Sequence, residues 1–272
     1  MTITSSFRPV FVVFIFLLSL QTAFAQADTI DQRHQPLNTR LLQPGLRQYL
    51  VYYQFPSQPK IMAFSLWTRD ISQSRRGGLP VFEIRQTWYS TDSNHYRSVY
   101  SVNSASDFSP LYHTETTGPK LKAYNWSAGG IKGADTVANN TAAGYTLDFN
   151  GPNYNWNLDI ETFEMLPLAA GKTFAIRFYD AGLEPPAYVN YTVTGSEMLT
   201  TLDNKKVDCW KLHTEGDSPR GKYTQTFWIS KNGHELLKEE DSFNGMFRYK
   251  VKLPGLAPNP AEALRNALTR QP

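Results

Sequence analysis

Few residues in this chain are of a type that does chemistry, and their spacing matches no catalytic pattern. Ser127 sits in Asn125-Trp-Ser-Ala-Gly129, which lacks the first glycine of the strained turn that exposes a serine nucleophile. His234-Glu235 is not followed by a second histidine, so it cannot set two imidazoles on one helix face around zinc. His34, His95, His113, His213 and His234 fall at no metal-ligand interval, and each reads as a surface or strand residue. Gly129-Gly-Ile-Lys-Gly133 has neither the Lys-Ser/Thr nor the helix pattern of a phosphate cradle, and reads as a turn. A single cysteine, Cys209, excludes an intrachain disulfide and a cysteine-cluster metal site; it reads as a small buried hydrophobe. The sequence therefore assigns no catalytic residue, no metal and no cofactor.

Carboxylates and aromatics remain. Asp159, Glu161 and Glu164 could flank a sugar bond, and helix capping and solvation explain them as well. Glu239-Glu-Asp241 reads as a solvated strand end, with a cation site as its alternative. The six tryptophans, Trp67, Trp88, Trp126, Trp156, Trp210 and Trp228, fall on or beside expected strands. They either fill a core or line a hollow. The ligand-lining candidates are Phe64, Trp67, Trp88, Trp126 and Trp156.

The elements that must position these residues follow from pattern. Arg8 precedes the apolar run Val10–Leu20, and Ala23 and Ala25 stand where a signal peptidase cuts. The run has 11 residues, against the ~20 a helix needs to cross a bilayer. Cleavage between Ala25 and Gln26 is expected, with a periplasmic or extracellular product and no transmembrane segment afterwards. The whole chain carries Lys+Arg 27 against Asp+Glu 24, too even a balance to attract nucleic acid. An aromatic share of 14% favours strands.

Residues 26–44 are polar and lack periodicity, and read as a lead-in. A single β-rich domain is expected over 45–253. Residues 46–55 and 60–69 alternate with apolar side chains on both faces, so both faces should be covered. A turn at Arg75-Arg-Gly-Gly78 leads to a hairpin of 79–89 with 96–103. Ile160, Phe163 and Leu166 then change the period to three, and one short helix is expected over Asn157–Pro167, capped by Asn157 or Asp159. Alternation resumes after Gly171. In the last strand, Phe247, Tyr249 and Val251 are expected to be buried, with Arg248, Lys250 and Lys252 in water. Residues 254–272 are expected to form an extension with a short C-terminal helix over Asn259–Arg270.

Leu166–Lys172, Ile176-Arg-Phe178, Tyr191–Glu197, Val207–Leu212 and Phe227–Lys231 together resemble a family of uncharacterised exported bacterial β-rich proteins, mainly over residues 150–253. The resemblance implies a half-barrel similar to that of periplasmic lipoprotein carriers, and no mechanism. The expected fold is mostly β, a strongly curved antiparallel sheet or half-barrel around one short central helix, with a sandwich as alternative. The expected function is an exported soluble binding protein holding a lipid or other hydrophobic ligand. The alternative is an envelope module that binds another protein. An enzyme acting on polysaccharide has no motif in its favour.

Overall fold

The computed structural model describes residues 27–90, 96–183, 185–218 and 221–256. The leader and the C-terminal helix expected from the sequence lie outside them. A short strand β1 (Asp28–Ile30) comes first, followed by a run of eight strands. These are β2 (Gly45–Gln54), β3 (Met62–Arg76), β4 (Leu79–Ser90), β5 (Arg97–Ser104), β6 (Pro110–Thr117), β7 (Lys120–Ser127), β8 (Gly130–Gly133) and β9 (Thr146–Asp148). The two-residue β10 (Tyr154–Asn155) leads into a 3-10 turn, Trp156–Leu158, and the helix α1 (Asp159–Glu164). A second run follows: β11 (Thr173–Tyr179), β12 (Ala187–Thr200), β13 (Lys206–Ser218), β14 (Gly221–Ser230), β15 (Leu236–Phe243) and β16 (Met246–Lys252).

All sixteen strands belong to one sheet, in which β16 pairs with β2 and so joins the two runs. The sheet is a curved open half-barrel around α1. It is antiparallel except where β1 and β10 lie parallel along β11. Residues 28–42, read as a lead-in, thus supply a strand, and they also bury Leu37 and Leu42. The turn between β3 and β4 needs positive φ at both central residues, and Gly77 (φ 55) and Gly78 (φ 82) supply it.

The helix forms where the period changes. The side chain of Asn155 accepts the N–H of Asn157 and caps the 3-10 turn, whereas α1 starts after Leu158 with no side-chain cap, so neither Asn157 nor Asp159 caps it as expected. Asp159 and Glu161 occupy the first turn, where the helix dipole favours them. Ile160, Phe163 and Leu166 are buried, and the Phe163 ring lies 4.6 Å from that of Tyr191 and 4.8 Å from that of Phe227. Around them the inner pleats of the sheet contribute Tyr49, Val51, Ile71, Ile84, Ile176 and Leu236. The far end of the sheet is shut by side chains: Trp126 packs on Tyr179 at 5.4 Å, and the hydroxyls of Tyr145 and Tyr179 are 2.6 Å apart. Cys209 is buried on the outer face with Trp228 and Leu237, and burial pushes its thiol up to about 11.

Two expectations are overturned. Lys250 is buried, and Arg248 points inward with it; Tyr249 stacks on Tyr52 at 4.8 Å on the outer face, where both are half-buried. The alternation holds, but the faces are reversed. The reason lies on β15, where Glu239 and Asp241, expected in solvent, are buried on the inner pleat. Register sets Glu239 opposite Lys250 and Asp241 opposite Arg248. Lys250 pairs with Glu239, and Arg248 pairs with Asp241 and, at 2.6 Å, with Glu239. Buried charge is tolerated when it is paired in this way.

Lys250→Ala takes from the buried Glu239 one of its two cations and leaves Arg248 alone to hold it, and it should cost about 3 kcal/mol of unfolding free energy. Tyr249→Ala removes a half-exposed stack and should cost about 1 kcal/mol; urea unfolding of the two variants gives the order. A second outcome concerns His113, whose Nδ1 lies 2.9 Å from Ser101 Oγ and 3.0 Å from Asn155 Nδ2. Burial, with Arg97 and Lys122 adding, lowers its pKa to about 3. That is below the unfolded value near 6.5, so the stability carried by the neutral ring is whole above about pH 6.5 and is lost as pH falls toward 3. NMR of the ring nitrogens should show no titration between about pH 8 and pH 5.

Candidate functional site

The half-barrel leaves an open cleft of about 670 Å³ on its concave face, beside the start of α1. Pleating explains which residues reach it. On β3, Trp67 and Arg69 are two apart and point inward; on β4, Gln86 and Trp88 do the same, and register pairs Trp67 with Trp88 and Arg69 with Gln86. Arg97 of β5 stands opposite Trp88. The other wall comes from Tyr223 and Gln225 on β14, Phe243 on β15, and Met246, Arg248 and Lys250 on β16.

Trp67 and Trp88 stack at 4.3 Å and 11°. Lys250 Nζ lies 4.3 Å from the Trp67 ring centre, and the Arg97 guanidinium 3.9 Å from that of Trp88. Two cations thus bracket two indoles in one column, an arrangement favoured by the negative ring faces.

Asn157 ties the cleft floor together. Its main-chain oxygen accepts from Gln86 Nε2 at 2.6 Å and from Arg69 Nη2 at 3.4 Å. Its Oδ1 accepts from Arg97 Nη2 at 2.6 Å, and its Nδ2 donates to Asp180 at 3.2 Å. Arg69 also grips Glu161, donating from Nε at 2.8 Å, and Arg47 holds Glu164 at 3.0 Å. Burial pushes the Glu164 carboxyl up to about 7, against the pull of Arg47 and of the Leu236 N–H. Burial likewise raises Asp159 and Asp180, opposed by Lys250 and Arg97 respectively. Burial also acts against charge on Glu239, but Lys250 and Arg248 outweigh it and lower that carboxyl; burial and the nearby Glu239 raise Asp241.

Of the five ligand-lining candidates, Trp67, Trp88 and Trp156 line this cleft. Phe64 is 51% exposed on the outer face, because it sits on the pleat alternate to Trp67. Trp126 is buried at the far end of the sheet against Tyr179 and Phe149. Of the charged residues of the cleft the sequence singles out only Asp159 as a candidate, although the hairpin holds the signal for Arg248 and Lys250. An Asn244-Gly245 turn, with φ 46 and 82, pairs Phe243 with Met246. Counting outward from it sets Asp241 and Glu239 against Arg248 and Lys250. Ser127 is exposed, and its Oγ donates to the Gly130 carbonyl. Among the described residues no group of three or more His, Cys, Asp or Glu is placed to hold a metal ion.

An open half-barrel wrapped on a short helix, with an aromatic and charged cleft beside it, defines the class of protein. The chain belongs to the family described as Protein of unknown function (DUF3108), matched over residues 48–252. Among solved structures, a beta-barrel-like protein of the domain of unknown function DUF1849 from Brucella abortus is similar, with 10% identity and a TM-score of 0.53. The match covers 77% of this chain and 97% of that one, and it shows a shared fold. The Mycobacterium tuberculosis lipoprotein LppX aligns at 9% identity over 78% of this chain and 90% of its own. Its TM-score of 0.25 is too low to carry a structural argument. No curated protein matches.

Asn157→Ala removes hydrogen bonds to one cationic and one acidic partner, and it should cost about 3 kcal/mol. The Arg97 guanidinium, freed from Oδ1, should leave the Trp88 face; a changed tryptophan emission in the folded variant reports it.

Proposed function

We propose that this is an exported binding protein whose concave cleft holds one lipid-like, amphipathic ligand. The observation that carries the reading is the cleft itself. Its volume falls in the range of about 300–1,000 Å³ typical of small-molecule sites. Trp156, Tyr223, Phe243 and Met246 offer apolar surface, while Asn157, Asp159 and Asp180 offer polar groups at its floor. An apolar tail gains about 0.8 kcal/mol per buried methylene, about 8 kcal/mol for ten carbons, so once association costs are deducted micromolar binding needs the polar contacts of the floor as well as the tail. The charged floor favours a ligand with a polar head over a plain hydrocarbon, because bare alkyl groups would leave these side chains desolvated and unpaired. Export is supported by the leader pattern of residues 1–25, and no helix among the described residues is long and apolar enough to cross a membrane.

A second reading, an envelope module that binds another protein, draws on the outward row of Leu50, Tyr52, Phe64 and Tyr249, of which Leu50 and Phe64 are exposed.

Native mass spectrometry of protein purified from its own envelope, followed by solvent extraction, decides between them. One amphiphile per chain is expected, and re-adding it to the stripped protein should shift the emission of the cleft tryptophans. Extraction without a stoichiometric amphiphile, together with emission unmoved by fatty acids and other alkyl amphiphiles, overturns the carrier reading in favour of the second.

A further inference from the structure

The convex face carries a second, smaller core that the described residues cover only in part. On β15 a bulge opposite Trp228 and Ile229 leaves Leu237 without a ladder partner, so that it shares the outer side with Lys238. Leu237 is buried there with Cys209 and Trp228, and Leu199 and Val207 pack against them half-buried. Beside this cluster runs a groove of about 390 Å³, lined by Leu199, Val207, Leu237, Val251 and Leu253. Leu202, in the turn between β12 and β13, also lines it and is 58% exposed. The groove opens away from the cleft, because Val251 sits on the pleat alternate to the buried Lys250.

The chain leaves the sheet at this groove. The Leu253 N–H donates to the Gln48 carbonyl at 2.8 Å, the backbone bends at Pro254-Gly255, and Pro254 lines the groove. Residues 259–270, outside the described part, are expected from their pattern to form a helix. At about 3.6 residues per turn, Ala261, Leu264, Ala267 and Leu268 share one side of it, and Glu262, Arg265, Asn266 and Thr269 the other. A helix of about three turns is marginal in water by itself and holds only when its apolar side is packed. Lengths agree as well: at about 1.5 Å per residue this helix spans about 18 Å, and β13 to β16, at about 4.8 Å per strand, span about 14 Å.

We propose that residues 259–270 dock as a helix in this groove, with Ala261, Leu264 and Leu268 against Leu199, Leu237 and Val251. The groove begins where the segment departs, so a tether of only residues 254–258 holds the helix beside it at high effective concentration. Docking in this sense covers Leu202 and Val251 and leaves Glu262, Arg265 and Asn266 in water. It removes from the surface an apolar groove that would otherwise attract other chains. The inference is independent of the ligand reading, since the cleft lies on the opposite face.

A nitroxide on Asn266→Cys in the full mature chain tests this by NMR; Cys209 is buried with its thiol pushed up to about 11, and escapes the label. The amide signals of Val207 and Leu237 should broaden, and those of Gln86 and Trp88 on the cleft side should not. In the unlabelled chain the amides of Leu264 and Leu268 should exchange at least tenfold more slowly than in an unstructured peptide. Leu264→Glu on the segment, or Leu202→Asp on the exposed rim of the groove, should abolish both effects with the thermal midpoint within a few degrees of the parent. Unstructured exchange at Leu264 and Leu268 in the parent overturns the proposal, as does broadening that survives both substitutions. Broadening seen only between isotope-enriched copies and separate spin-labelled copies also overturns it, and makes a second chain the occupant.

Discussion

Charge buried inside a curved sheet is the constraint on which the rest of this structure depends. The concave face could have been filled with aliphatic side chains alone, yet it encloses Glu161, Glu164, Glu239 and Asp241, with Arg47, Arg69, Arg248 and Lys250 against them. Desolvating so many ions is unfavourable, and each is tolerated only while its partner stays within hydrogen-bond reach. The pairs therefore fix geometry. Arg69 and Arg47 fasten the two helix carboxylates to β3 and β2, and the amide of Leu236 holds Glu164 from the opposite side. A helix of six residues is too short to be stable by itself. Here its position and rotation are set by ion pairs at one side and by Phe163 among aromatic rings at the other.

The same pairing shapes the cleft. Because α1 is held low in the half-barrel by its own carboxylates, the space beside its first turn stays open, and Asn157 at that turn becomes the point where β3, β4, β5 and the chain after β11 meet. The stacked indoles are clamped by Lys250 and Arg97, so the cleft wall is set by residues whose own positions are fixed from behind. A site supported in this way is shaped before any ligand arrives, which lowers the ordering cost of binding.

Much of this fold was legible in the sequence, and the illegible part has a physical cause. Alternation located the strands of both runs, and the change of period located the helix. Those signals depend only on the geometry of the chain. The face that each strand buries is a different matter. In β16 both faces are chemically plausible, aromatic on one side and long cationic chains on the other, and the rule that Lys and Arg seek water chose wrongly. The deciding information was on the neighbouring strand, in the carboxylates of β15. Likewise Phe64 and Trp67 look equally fit to line a hollow, but they are three residues apart on a strand and must point to opposite sides. Trp126 does face inward, but it packs against Tyr179 at the end of the sheet, a contact across more than fifty residues that no local pattern encodes.

The pairing of β16 with β2 also has a meaning in time. Each of the two strand runs consists of neighbours in sequence, so each closes through short hairpins. The single ladder that joins them brings together residues roughly 200 apart, and such distant closure comes late. A ribosome makes β2 long before β16. In the interval β2 has β3 on one side and a bare row of main-chain donors and acceptors on the other, along Gln48, Leu50 and Tyr52. Unpaired edges of that composition recruit strands from other chains. The last strand is thus both the lid on the charged interior and the element that ends the chain's exposure to aggregation.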